Sequence, residues 1–261
     1  MPIRASHLLT HYLDSIYQDT VSLRYAAQQA CMEGNRAARL LDIGCQTGTN
    51  TLRLSGVVGA SQVIGVEYNL RTVREAAKQG IWPLLADANR GLPLAGDSVD
   101  VVTAMDVLEH LVDPRMLIRE AHRVLRPGGY LVVATPNLAS WHNIVALLLG
   151  LQPFSGPNLT SMLDADLDVV KRLHRQAYGL PEEGDLPADE EQELHRHIVV
   201  VAYRALLRLM TREGFRIEYA RGFGYYPFPP FLARPLARID PWHAHHLVVK
   251  GRKPSVSPVS P

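Results

Sequence analysis

The chain has 261 residues, with 27 Lys and Arg against 26 Asp and Glu for a formal net charge of +1, and it is 47% hydrophobic and 20% charged. That length suffices for one large domain that buries most of its apolar surface, and the composition carries no disorder signature over most of the chain. The near-neutral charge argues against a nucleic-acid-coating surface, which needs clustered Lys and Arg; two cysteines, Cys31 and Cys45, are too few for a disulfide framework and lack paired metal spacing, as expected in a reducing cytoplasm.

The first residues, MPIRASHLLTHYLDS, have neither the apolar core nor the small-residue cleavage site of a secretion signal. Helix-like spacing covers residues 8–32, with Leu9, Tyr12, Leu13, Ile16 and Tyr17 on one side and a second helical stretch from Val21. Residues 1–37 are therefore expected to form a cap of N-terminal helices. From Arg39 short apolar runs alternate with amphipathic ones: RLLDIG as a strand, TNTLRLSGVV as a helix, QVIGVE as a strand, LRTVREAAKQG as a helix closed by Gly80, and WPLLAD as a strand. SVDVVTAM continues as a strand, PRMLIREAHRVL as a helix, and GYLVVAT as a fifth strand introduced by the turn RPGG. This α/β alternation predicts a doubly wound parallel sheet covered on both faces.

After Pro136 the rhythm breaks. WHNIVALLLGL reads as an apolar helix and YGLPEEGDLPADEEQE as an acidic segment punctuated by Gly and Pro, so residues 137–197 are expected to be a lid-like insertion. The run IVALLLG, the longest apolar one, is far short of the roughly 20 residues that cross a bilayer, and no membrane span is predicted. YRALLRLMTREG reads as a helix, FRIEYARGF as a strand and HAHHLVVKGRK as a last strand; the low-complexity PSVSPVSP, residues 254–261, is an unpacked tail.

In a doubly wound sheet, ligands bind beyond the carboxyl ends of the strands, where the first strand turns into its helix. Here that turn is Asp42-Ile43-Gly44-Cys45-Gln46-Thr47-Gly48. A dinucleotide fingerprint requires Gly-x-Gly-x-x-Gly; counted from Gly44, the second and third positions are Gln46 and Thr49, so two of three glycines are missing. A nicotinamide-dependent oxidoreductase is disfavoured on that ground. A ligand without phosphates needs close backbone approach at Gly44 and Gly48 more than a deep anion nest, and a carboxylate on it can use the helix N-terminus near Gly48. Asp42 suits an ammonium group, Cys45 offers backbone contact only, and Glu67 at the end of the second strand can accept ribose hydroxyls.

The turn, with an acid followed by Gly44 and Gly48, resembles the first motif of the class I S-adenosylmethionine-dependent methyltransferases, whose middle glycine is Gln46 here. The block DSVDVVTAMDVLEHLVDP is similar to the fourth-strand motif of the type 11 and type 23 small-molecule branches, and REAHRVLRPGGYLVVATPN to the helix, turn and fifth strand that follow. The resemblance runs from about Leu40 to Asn137. It implies a Rossmann-like sheet of about seven strands with the last antiparallel, a methyltransferase domain over residues 38–253, and S-adenosyl-L-methionine as cofactor. It further implies cofactor contacts at Glu67 and Tyr68, at Asp87 and Ala88 after the third strand, where the acid would accept from the adenine amino group, and at Asp106 after the fourth.

The same resemblance implies a small-molecule, lipid or saccharide acceptor, since the Asn/Asp-Pro-Pro-Tyr/Phe signature of many nucleic-acid and protein methyltransferases is absent: Met105-Asp106-Val107-Leu108 stands in its place. Transfer to oxygen is expected, with His110, His142 or His197 as candidate base and Trp141 and Phe154 as candidate substrate contacts in the insertion. Glu109-His110 is read as structural or substrate-side, because no helical His-x-x-x-His or Cys pair accompanies it, and no metal is expected there or at His243, His245 and His246. A noncatalytic module that only binds the cofactor is the alternative; intact Asp42, Glu67 and Asp87 speak for binding and not for turnover.

Overall fold

A computed structural model of the chain describes residues 2–157 and 196–255, with side chains from residue 11 onward. Its elements are α1 (Pro2–Ala30), β1 (Arg39–Ile43), α2 (Thr49–Val58), β2 (Gln62–Glu67), α3 (Leu70–Lys78), β3 (Trp82–Leu85), β4 (Val99–Met105), α4 (Pro114–Val124), β5 (Leu125–Pro136) and α5 (Trp141–Leu148). After residues 158–195 come α6 (Tyr203–Arg212), β6 (Arg216–Phe223), α7 (Pro230–Ile239) and β7 (His246–Arg252). The strands form one sheet in the order β3-β2-β1-β4-β5-β7-β6. β1 to β5 pair in parallel, and β7 runs antiparallel to both β5 and β6 between them.

Alternation along the strands divides the core into two layers. Leu41 and Ile43 of β1, with Val102 and Ala104 of β4, pack with Leu117, Ile118 and Ala121 of α4 and Leu206 and Met210 of α6. Leu40 and Val101 point the other way, toward Ala27 of α1 and Leu54 and Val58 of α2. The inner strands are buried on both faces, which is why they read as continuous apolar runs. Side-chain caps start two helices: Asn69 accepts from the Arg71 N–H at 2.8 Å, and Asp113 from the Arg115 N–H at 3.0 Å with Pro114 in the first turn.

Three expectations change. The cap is one helix, not two stretches: neither Gly nor Pro interrupts it after Pro2, and the Thr20 hydroxyl bonds back to the Ile16 carbonyl at 2.9 Å without breaking it. β5 absorbs the RPGG turn by a register irregularity opposite Val99 and Val101. β7 begins only at His246, because Pro241–His243 forms a 3-10 turn in which His243 Nδ1 meets Asp240 at 2.7 Å. The helix α7 was not anticipated. It carries Pro230 in its first turn, where a missing N–H costs nothing, and Pro235 inside. Asn137 fastens the root of the insertion: its amide donates to the carbonyls of Trp242 and Ala244, and its oxygen accepts from the Tyr203 N–H. The acidic segment YGLPEEGDLPADEEQE lies outside the described residues.

Candidate active site

The turn between β1 and α2 is left-handed at three residues: Gly44 (φ 72°), Gln46 (φ 47°) and Gly48 (φ 93°). A Cβ on Gly44 would come within 2.5 Å of Val107, and one on Gly48 within 2.3 Å of Ile81, so both glycines are required by space as well as by conformation. Gln46 keeps the backbone that the motif's middle glycine would supply. A non-glycine residue there costs of order 1 kcal/mol, and an anchor offsets it: the Gln46 N–H donates to Glu67 Oε2 at 3.0 Å. No side chain caps α2, so its first N–H groups remain for a ligand carboxylate.

Glu67 is buried at the tip of β2 and also accepts the Tyr68 N–H at 2.9 Å and the Asn69 N–H at 3.1 Å, both on Oε1. Three of its roughly four acceptor positions are thus occupied, and one, on Oε2, is left for a hydroxyl. Burial raises the Glu67 carboxyl, and the three N–H groups pull it back.

Asp42, read from the sequence as an ammonium contact, is engaged by hydroxyls beneath the turn. Its two oxygens accept the hydroxyls of Thr51 on α2 and Thr103 on β4, each at 2.5 Å, and it is 3% exposed. Its side chain clamps β1, β4 and α2 together under the turn, and burial pushes its carboxyl up to about 6. The Cys45 thiol, pushed up to about 12 by burial and then by Asp42 and Glu67, is no thiolate. Asp87 accepts from the backbone and side chain of Asn89, at 2.9 and 3.0 Å, and so shapes the turn holding Ala88. A groove of about 390 Å³ runs beside Asp87, Leu92 and Pro93.

Asp106, at φ 56°, does not turn a bare carboxylate to the crevice. Arg24 Nη1 of α1 donates to both its oxygens at 3.0 and 2.8 Å, and His246 Nε2 lies 3.2 Å away. The next turn brings Glu109 and His110 beside His197, with a donor atom from each within 4.8 Å of the others.

The profile of the family described as a methyltransferase domain, type 11, matches residues 41–133, the span of this turn and its strands. Over that span the chain is similar to the type 11 family of class I S-adenosylmethionine-dependent methyltransferases. A probable S-adenosylmethionine-dependent methyltransferase of Mycolicibacterium smegmatis is 39% identical over 102 residues, 38% of this chain and 38% of that protein. A ubiquinone biosynthesis O-methyltransferase of Parvibaculum lavamentivorans is 35% identical over 103 residues, 38% of this chain and 40% of that protein. The chain spans about two fifths of the length of these curated relatives. In fold, the crystal structure of an S-adenosylmethionine-dependent methyltransferase from Mesorhizobium loti aligns with a TM-score of 0.55 at 23% identity, over 87% of this chain and 96% of that one.

Within this methyltransferase fold the insertion residues fall into two groups. Trp141 donates from Nε1 to the Tyr225 hydroxyl at 2.8 Å and stacks on His243 at 4.6 Å between centroids. His142 sits among Phe154, Tyr226 and His245, with ring centroids 5.9, 5.5 and 4.8 Å away, and burial pushes it down to about 4, so it is neutral at neutral pH. Trp141 and Phe154 each keep more than two fifths of their surface exposed. Burial also lowers His110. Reading the sequence missed Arg24, Thr51 and Thr103, ordinary helix and strand residues whose partners are tertiary. It also missed the meeting of His197 with Glu109 and His110. Among the described residues no helix is long and apolar enough to cross a membrane.

Proposed function

We propose that this chain transfers a methyl group from S-adenosylmethionine to an oxygen of a small-molecule, lipid or saccharide acceptor. The observation that carries the reading is the left-handed turn Gly44-Gln46-Gly48 tied to the Glu67 carboxylate across the ends of β1 and β2. The geometry fits the cofactor: backbone can approach closely where no Cβ fits, a hydroxyl can take the last acceptor position on Glu67, and the uncapped N-terminus of α2 suits a carboxylate. When bound, the cofactor supplies a methyl group on a cationic sulfur that departs as a neutral thioether. The protein's part is then to hold an acceptor oxygen in line with that methyl, a proximity effect worth several kcal/mol.

Transfer to oxygen is supported by the Parvibaculum lavamentivorans relative named for O-methylation, and the exposed rings of Trp141 and Phe154 are the acceptor contacts we assign. A hydroxyl acceptor must also lose its proton, and the imidazoles of His110, His142 and His197 are the groups we assign to accept or direct it. The test is titration calorimetry of the chain with S-adenosylhomocysteine, with NADH in a parallel cell, followed by a labelled-methyl screen of phenols, hydroxylated lipids and saccharides. Micromolar binding of the first ligand alone, then label in an oxygen acceptor, is expected. Binding of NADH alone overturns the reading, and cofactor binding without transfer to any acceptor favours the noncatalytic module.

A further inference from the structure

Glu109 and His110 occupy the 3-10 turn after β4, and His197 returns from the far end of the insertion. One potential ligand atom of each lies within 4.8 Å of the others, and the two imidazoles meet edge to face with centroids 5.0 Å apart. Glu109 and His197 are buried while His110 is half-buried, so the cluster is closed except at one corner.

Hydrogen bonding decides which atoms this cluster offers. His110 Nδ1 lies 2.9 Å from the Arg196 carbonyl oxygen, and His197 Nδ1 lies 2.7 Å from that of Ser155. A carbonyl only accepts, so each Nδ1 carries a proton, and the tautomer this selects for a neutral ring has its lone pair at Nε2. Backbone carbonyls orient metal-ligating histidines in this way. On Glu109, Oε2 accepts the Thr135 hydroxyl at 2.9 Å, while the buried Oε1 has no hydrogen-bond partner among the described residues. Asp106, three positions earlier, is neutralised by Arg24. Glu109 has no ion-pair partner of its own among the described residues, and a buried carboxyl with an undonated oxygen can stay ionised only where a cation meets it.

We propose that Glu109, His110 and His197 form a binding site for a divalent first-row transition-metal ion. Two imidazole nitrogens and one carboxylate oxygen favour Zn²⁺, Mn²⁺ or Co²⁺ over Mg²⁺ and Ca²⁺. Bonds of about 2.0–2.2 Å require the donors to draw together by roughly an ångström, a movement that the half-buried His110 permits. Three protein ligands leave positions open, as in catalytic rather than structural sites. Only the purpose of the ion rests on the methyl-transfer reading: its open positions would take the acceptor oxygen, and His110 and His197 would hold the ion rather than act as bases.

The test uses the full chain, stripped with a chelator and titrated with Co²⁺, whose absorption bands report its ligands, and then with Zn²⁺ as competitor. One Co²⁺ per chain, displaced by Zn²⁺, is expected, with binding weakened about 100-fold or more in Glu109→Gln, His110→Gln and His197→Gln. His243→Ala, outside the cluster, should bind Co²⁺ as the unaltered chain does. If the buried variants fail to fold, His110→Gln decides, because its site is half-exposed. No Co²⁺ uptake below millimolar concentration overturns the proposal, as does undiminished uptake in a folded His110→Gln variant. S-adenosylhomocysteine calorimetry on the same samples separates the two readings. Its binding without metal uptake removes the metal site alone, and metal uptake without its binding supports the site while removing the methyl-transfer reading.

Discussion

Glu67 Oε2 accepts the backbone N–H of Gln46 at 3.0 Å, so the end of the second strand holds the turn that follows the first. The same carboxylate is the ribose contact in the proposed cofactor site, and its charge therefore serves both the loop and the ligand. Glu67→Gln replaces a charge-assisted acceptor by a neutral one. With such a bond worth about 1.5–3 kcal/mol, affinity for S-adenosylhomocysteine should fall by about tenfold or more in titration calorimetry. An unchanged affinity would take Glu67 out of the site.

The turn is also where space is tightest. Gly48 sits at φ 93°, and a Cβ there would lie 2.3 Å from Ile81 Cδ1. Gly48→Ala must pay about 1–2 kcal/mol for the left-handed backbone and displace Ile81 besides. A loss of at least about 2 kcal/mol, or roughly 4–8 °C in melting temperature for a chain of this size, is expected. Gly34 has nothing within 4 Å of its virtual Cβ, and Gly34→Ala should leave the melting temperature almost unmoved. Equal shifts in the two variants would show that the turn is slack.

Asp42 gives a pH signature. Burial raises its carboxyl from 3.8 to about 6 in the folded chain, against the bonds from Thr103 and Thr51 that lower it. Because the folded value lies above the unfolded one, the group's favourable contribution is full below the unfolded value and is lost as pH rises through about 6. Asp42→Asn is neutral throughout. Its unfolding free energy should improve relative to the unaltered chain by about 3 kcal/mol between about pH 4 and 7. Urea unfolding at several pH values measures the difference, and a difference that stays flat would mean that the buried carboxyl titrates at its ordinary value.

Much of this was legible in the chain. TNTLRLSGVV and QVIGVE coincide with α2 and β2, because their periodicity is bounded by turn residues and each is packed as its pattern demands. Gly44, Gly48 and Glu67 could be found because the turn and the strand tip are local in sequence. The direction of the Asp42 side chain could not, since the hydroxyls that bind it stand on α2 and β4, the latter 61 positions away. His197 was named as a candidate base, but nothing in its neighbourhood announces Glu109 and His110; the Arg196 carbonyl that orients His110 is 86 positions along the chain. The helix α7 was hidden by its prolines, which sequence rules count against a helix even where Pro230 suits the first turn.

Arg24 was silent for the same reason, and it carries the last prediction. It reaches from α1 to the end of β4, where both it and Asp106 are nearly buried, at 3% and 8% side-chain exposure. Removing one partner of such a pair strands a charge, which costs about 3–5 kcal/mol, whereas removing both can be close to neutral. Arg24→Met should therefore destabilise by about that amount. Asp106→Asn keeps a residue that tolerates the left-handed backbone at φ 56°, and combined with Arg24→Met it should restore most of the loss. Denaturant unfolding of the two single variants and the double variant closes the cycle, with a coupling of at least about 2 kcal/mol expected. Additive effects would mean that the pair is not the tie between the N-terminal helix and the crevice.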